Sequence, residues 1–308
     1  MDNDFKTVFG ITSGFGAVLI WAGFPVITQL AFIQTKLSVS DLTAIRFLVS
    51  GFLLLPFVFR VTREQYARFF SDGKHLLFFL LFVSGSGAPY IIVVSSGIQQ
   101  AEASHFGIIV PSSMMIFTAL GARLWLKEPI KRHTIIGNVL ILAGIAVIAQ
   151  ASVFQIKSGY LQGDLLLLLG GLLWAGFTLM TRYFGLNPLH SIALVSVASA
   201  TLFLPYYFYR VSVNEATAAF WTQPWQAVTI QAIYQGVLLS IVALVLYSIA
   251  VVKLGAAKGS LFAAGLPGLT LLLTSFLPGQ HISANELVGA VIVTGGMLIS
   301  LNILKRPR

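Results

Sequence analysis

Runs of about twenty residues with few or no charges recur along this chain, the length a helix needs to cross the hydrocarbon core of a bilayer. Within them, stretches such as 139–149 and 165–181 are apolar around the whole helical circumference. An amphipathic surface helix would keep a polar face. A transmembrane β-strand would alternate apolar and polar residues over about ten positions, and no segment does. Composition agrees: 57% of residues are hydrophobic and 9% charged, with a mean hydropathy of +0.88. A soluble domain averages about 25% charged residues, so this chain could not cover a water-facing surface. The sequence therefore predicts an all-α polytopic membrane protein.

Polar breaks divide the chain into ten candidate spans, near residues 8–32, 41–59, 75–97, 101–124, 135–151, 163–183, 190–207, 228–252, 259–277 and 285–304. The longest connection, 211–226, carries Trp221, Pro224 and Trp225 and is expected at the interface, where Trp is enriched. The acidic start, Met1 to Lys6, lacks the basic region and small-residue cleavage site of a removable signal peptide. With the N-terminus inside, 15 Lys and Arg fall on inside segments and 3 outside, leaving Arg46 within a span. That asymmetry predicts both termini in the cytoplasm and a multi-pass inner-membrane protein. The net charge of +9 is thereby topological, and nucleic acid drops out as a partner. Absence of cysteine excludes disulfides, thiolate catalysis and Cys-based metal sites.

The chain repeats itself. Trp21-Ala22-Gly23-Phe24 recurs as Trp174-Ala175-Gly176-Phe177, an offset of 153 that also relates Gly10 to Gly163. Ala101 to Phe106 aligns with Ala257 to Phe262, Pro111 then meets Pro267, and Gly137 and Gly144 meet Gly289 and Gly296. Residues 1–152 and 153–308 are thus expected to be two copies of five spans each. An odd number of spans turns the second copy upside down. Inverted repeats are an architecture of secondary transporters, with the binding site near the midplane; duplication kept only for close helix packing is the blander alternative.

With these residues in view, the chain resembles the EamA family of the drug/metabolite transporter superfamily. The resemblance rests on Trp-Ala in spans one and six, Arg46-Phe47, the Ala-x-x-Ser lead into Pro111, Leu126-Lys127-Glu128-Pro129, and the Gly137/Gly144 spacing. In general character it is most similar to YddG-type exporters of aromatic amino acids. The resemblance implies an exporter of amino acids or related small metabolites working by alternating access, with spans one, three, four, six, eight and nine around the cavity. Other substrate classes (a nucleotide sugar, a purine, a cationic drug) are the alternatives, with a membrane enzyme the more distant one. The acidic residue of this pattern is Glu128, whereas its second-half counterpart by glycine spacing is Gln280, a departure from strict equivalence of the halves.

Candidate site residues are polar or aromatic side chains inside spans, costly there unless they face a cavity. Trp21 and Trp174 fall near midspan and could stack on an aromatic or apolar substrate. Tyr90 follows Pro89 in a glycine-rich stretch expected to kink or open span three. Tyr234, Gln235 and Tyr247 in span eight complete the substrate-binding candidates. Glu102 and His105, one turn apart on one helix face, could form a polar or proton-sensitive pathway, or could simply be interfacial. Arg46 is expected to snorkel outward. Pro25, Pro111, Gly265 and Pro267 are candidate hinges. The histidines show no metal-binding spacing and no phosphate loop is present, so no cofactor or metal is expected. The partners implied are a small-molecule substrate and the bilayer, with the chain a monomer or a homodimer.

Overall fold

The computed structural model describes residues 2–125, 127–154, 160–213, 219–254, 262–280 and 282–301, and all regular elements among them are helical. In order they are α1 (Asp2–Gln34), α2 (Val39–Val58), α3 (Arg63–Phe69), α4 (Gly73–Ser86), α5 (Ala88–Gln100), α6 (Ala103–Trp125), α7 (Arg132–Phe154), α8 (Tyr160–Phe184), α9 (Pro188–Val213), α10 (Trp225–Gln231), α11 (Ala243–Leu254), α12 (Leu266–Thr274) and α13 (Ala284–Ser300). A π-helical segment, Ala232–Val242, joins α10 to α11. Among the described residues, seven stretches are long and apolar enough to cross a membrane: Thr7–Gln34, Val39–Val58, Gly73–Gln100, Ala103–Trp125, Tyr160–Phe184, Pro188–Val213 and Trp225–Leu254. Arg132–Ile148 and Ala284–Ser300 are shorter apolar helices. The start of the ninth expected span, with Lys258, lies outside the described residues, as does His281.

Large apolar side chains stand on the outer faces of these helices, among them Phe52, Leu202, Val252, Phe276 and Val291, each at least 70% exposed. Such a surface suits lipid and not water. Inside, α7 packs along α13, α2 along α9, α6 and the α4–α5 pair along α8, and α1 along α11; α12 lies against both α1 and α6. Glycine sets a close crossing between α7 and α13. A Cβ on Gly137 would lie 2.5 Å from the Gly296 carbonyl oxygen, and one on Gly144 2.9 Å from that of Gly289. These two helices meet backbone to backbone, as small residues allow in membranes.

Polar residues concentrate at helix ends, where orphan N–H groups need partners. Ser38 with Asp41, Thr62 with Gln65 and Ser283 with Glu286 form reciprocal capping boxes opening α2, α3 and α13. Asp72 caps α4, and the backbone N–H of His75 holds its carboxyl below the usual carboxylate range. Tyr207 ties α9 to α2: its hydroxyl donates to Asp41 Oδ1 at 2.5 Å and accepts the Phe220 N–H at 3.1 Å.

Span three is broken where the glycine-rich stretch suggested. The helix stops at Ser86, restarts at Ala88, and the freed Ala88 N–H donates to Ser199 Oγ on α9 at 3.0 Å. Pro25 and Pro111 lie inside continuous helices instead of breaking them. Around Pro111 the hydroxyls of Ser112 and Ser113 donate to the carbonyls of Ile108 and Ile109, one turn back. A break does occur at Gly265, whose N–H bonds the Phe262 carbonyl at 3.0 Å before α12 begins with Pro267 in its first turn.

Candidate functional site

Trp21 and Trp174 are each half-buried with a tyrosine against them. Trp21 on α1 meets Tyr247 on α11 with ring centroids 5.0 Å apart at 53°. Trp174 on α8 meets Tyr90 on α5, also at 5.0 Å, with the rings at 67°. Both geometries belong to the tilted and edge-on arrangements that aromatic quadrupoles favour. Tyr90 is 3% exposed, whereas both indoles and Tyr247 keep an accessible portion. The residues were legible as candidates one by one; their pairing was not.

Span eight turns its polar side chains inward through the π segment. There the hydrogen-bonding step lengthens by one residue, and Ser240 Oγ reaches the Gln235 carbonyl five residues back at 2.7 Å. Such segments are rare and recur at functional sites. Tyr234 donates to the Ile20 carbonyl of α1 at 2.6 Å, so its hydroxyl clamps two helices together. Gln235, fully buried, donates through Nε2 to Gln231 Oε1 at 2.7 Å, and Gln231 donates to the Ile27 carbonyl at 3.0 Å. Gln235 Oε1 has no hydrogen-bond partner among the described residues.

Arg46 does not snorkel. It is 4% exposed and enclosed within the bundle, with Nε and Nη1 lacking hydrogen-bond partners among the described residues. Its guanidinium carbon lies 5.7 Å from the centre of the Phe47 ring, and Tyr90 is within electrostatic reach. The expectation failed because snorkelling needs a path to the interface. Here α9, the π segment and α5 cover α2, and the N-terminal turns of α2 are themselves buried.

A second polar group lies where α6, α8 and α13 begin. His105 Nδ1 pairs with Asp164 Oδ1 at 2.6 Å, both side chains being 5% exposed. The Tyr160 phenol donates to Glu102 Oε1, and the Tyr160 and His105 rings stand edge to face at 5.7 Å. Glu286, 4% exposed, is in electrostatic reach of both His105 and Tyr160. Glu102 and His105 were readable from the sequence, whereas Tyr160, Asp164 and Glu286 were missed. The signal available for the last two was an acidic residue just inside an apolar run. No group of three or more His, Asp or Glu among the described residues could hold a metal ion.

A bundle of apolar helices with lipid-facing outer surfaces and an aromatic, partly polar interior defines a multi-pass membrane protein. More narrowly, the chain belongs to the EamA-like transporter family, whose model matches residues 8–150 and 161–302. It is 25% identical over 271 residues to the "Uncharacterized transporter YetK" of Bacillus subtilis (strain 168), a match covering 86% of this chain and 79% of that protein. It is also 25% identical over 264 residues to the "Uncharacterized transporter YyaM" of the same organism, covering 78% and 84% respectively. A solved structure described only as "Crystal structure of protein" shares the fold, with a TM-score of 0.59 over 97% of both chains at 17% identity.

Proposed function

We propose that this protein is a ten-helix secondary transporter that exports neutral amino acids, aromatic ones first, across the inner membrane by alternating access. The observation that carries the reading is the pair of Trp–Tyr contacts, both at 5.0 Å. Trp21 and Trp174 occupy equivalent positions in the sequence repeat. Their tyrosine partners come from spans eight and three, which the same exchange of halves interchanges. Two matched Trp–Tyr pairs suit a planar or apolar side group with few polar contacts.

Helix pairing supports the inverted repeat, with residues 1–152 and 153–308 as its halves. Exchanging each span with the one five later maps α7 against α13 onto itself, and likewise α2 against α9. It maps α6 against α8 onto α12 against α1, and α4–α5 against α8 onto α11 against α1, all of which are contacts in the fold. The Gly137–Gly296 and Gly144–Gly289 approaches follow the same exchange. In the orientation with cytoplasmic termini, Glu102, His105, Tyr160, Asp164 and Glu286 stand at the outer end of the pathway. There they would close the outer mouth and carry a proton. The protein acts as a monomer in this reading.

Flux in liposomes of labelled phenylalanine, tryptophan and threonine tests the proposal against a purine, a nucleotide sugar and an organic cation, with and without a pH gradient. Phenylalanine and tryptophan are expected to move. Trp21→Ala and Trp174→Ala are each expected to slow them about 5- to 10-fold, the worth of one aromatic contact. Movement of a purine, nucleotide sugar or cation without any amino-acid flux would refute the substrate class.

A further inference from the structure

We propose that Arg46 and Gln235 form a built receptor for a zwitterionic head group, with the guanidinium taking a carboxylate and the amide oxygen taking an ammonium. The inference deepens, and rests on, the reading of this chain as an amino-acid transporter.

Arginine stays protonated in proteins, and a charge held in an apolar interior is costly unless paired. In membrane spans such residues mark substrate or ion pathways by default. Among the described residues no carboxylate lies within ion-pair distance of Arg46; the ion pairs present join His75 to Asp72, His105 to Asp164 and Arg182 to Glu128. Asp41, five residues earlier on α2, is already engaged by Tyr207 and by Ser38. The Phe47 ring at 5.7 Å offers a face and no anion. Thus Arg46 presents Nε and Nη1 with no acceptor among the described residues to meet them.

Gln235 supplies the opposite deficit. Its Nε2 is committed to the Gln231–Ile27 relay, which fixes the amide with Oε1 as the group lacking a partner. The two residues sit on elements in direct contact: a Cβ on Gly236 would fall 2.5 Å from Val49, less than one turn beyond Arg46. Arg46 lies about 10 Å along α2 from its outer end, and Gln235 about 15 Å or less along its span, at 1.5 Å per α-helical residue. Tyr90 links Arg46 to Trp174. A cationic donor and a neutral acceptor on touching elements, with an aromatic pair beside the first, match in kind the carboxylate, ammonium and side chain of an aromatic α-amino acid. A cation without a carboxylate would meet Arg46 as a like charge.

Ligand-induced shifts in the unfolding temperature of the purified full chain test this directly. The probes are phenylalanine, 3-phenylpropanoate (no ammonium), phenethylamine (no carboxylate) and phenylalanine amide. The wild-type protein is expected to bind phenylalanine and, more weakly, 3-phenylpropanoate, and to ignore the two amines. Arg46→Gln is expected to weaken both carboxylates about 10- to 100-fold, the worth of a hydrogen bond to a charged group. Arg46→Lys should recover part of that affinity. Without ligand, Arg46→Gln should unfold at the same or a higher temperature, since it removes an unpaired buried charge, whereas a packing role would lower it. Carboxylate affinity unchanged in Arg46→Gln, or phenethylamine binding as well as phenylalanine, would overturn the receptor. If 3-phenylpropanoate binds in an Arg46-dependent way and phenylalanine does not, the carboxylate anchor stands and the amino-acid reading falls. If phenylalanine binds equally to wild type and Arg46→Gln, the reverse holds.

Discussion

Gly137→Ala perturbs a backbone-to-backbone helix crossing by a single methyl group. The added Cβ would lie 2.5 Å from the Gly296 carbonyl oxygen and 2.6 Å from both the backbone nitrogen and Cβ of Ser300. Ordinary contact begins at 3.4 Å, so α7 and α13 must separate by about 0.9 Å. Two of the three obstructing atoms are backbone, so no rotamer change relieves the clash. A gap of 0.5–1 Å forfeits roughly a quarter to a half of each atom pair's attraction, itself about 0.1–0.2 kcal/mol. Across some tens of pairs the loss comes to about 1–3 kcal/mol, in the range of overpacked cores. The control is Gly295→Ala, one residue from Gly296 on α13, where a Cβ meets nothing within 4 Å. There the gain in helix propensity, up to about 1 kcal/mol, should dominate. Denaturant unfolding of both variants in mixed micelles measures the difference. Equal stabilities, or a Gly137→Ala protein as stable as wild type, would refute backbone-to-backbone packing of these helices.

The remaining expectations concern polar links. Tyr207→Phe removes the hydroxyl that joins Asp41 to the Phe220 N–H, leaving two groups short of a partner. It should cost about 2 kcal/mol in the same unfolding assay; a loss below 0.5 kcal/mol would show that water or the Ser38 cap replaces the bond. Asp164→Asn takes the carboxylate from His105. Any change of flux between about pH 5 and 8, where histidine titrates, should flatten in this variant and in His105→Gln. A wild-type pH profile in both would remove the polar cluster from proton handling.

Several interior features could be read as residues but not as contacts. Trp21 and Trp174 stood out through the repeated Trp-Ala-Gly-Phe, and Tyr90 through its place beside Pro89. Which tyrosine met which indole depends on how α11 and α8 are rotated. Arg46 was misjudged for the same reason: its depth along α2 follows from the sequence, but its enclosure follows from the packing of α9, α5 and the π segment. Asp164 was missed altogether, because only the packing of α6 against α8 brings His105 to it.

The sequence by itself determined the solvent and the helical secondary structure. These depend on side-chain hydrophobicity and on local hydrogen bonding, which every residue of an apolar helix carries with it. Only the tertiary structure decided what faces the interior. A helix apolar all round has no polar face to mark its outward side, so its rotation is set by neighbours. Glycines 137, 144, 289 and 296 illustrate the division: the sequence shows them as equal spacings in two halves. Folding crosses them, Gly137 to Gly296 and Gly144 to Gly289, because an antiparallel pair brings the start of one helix to the end of the other.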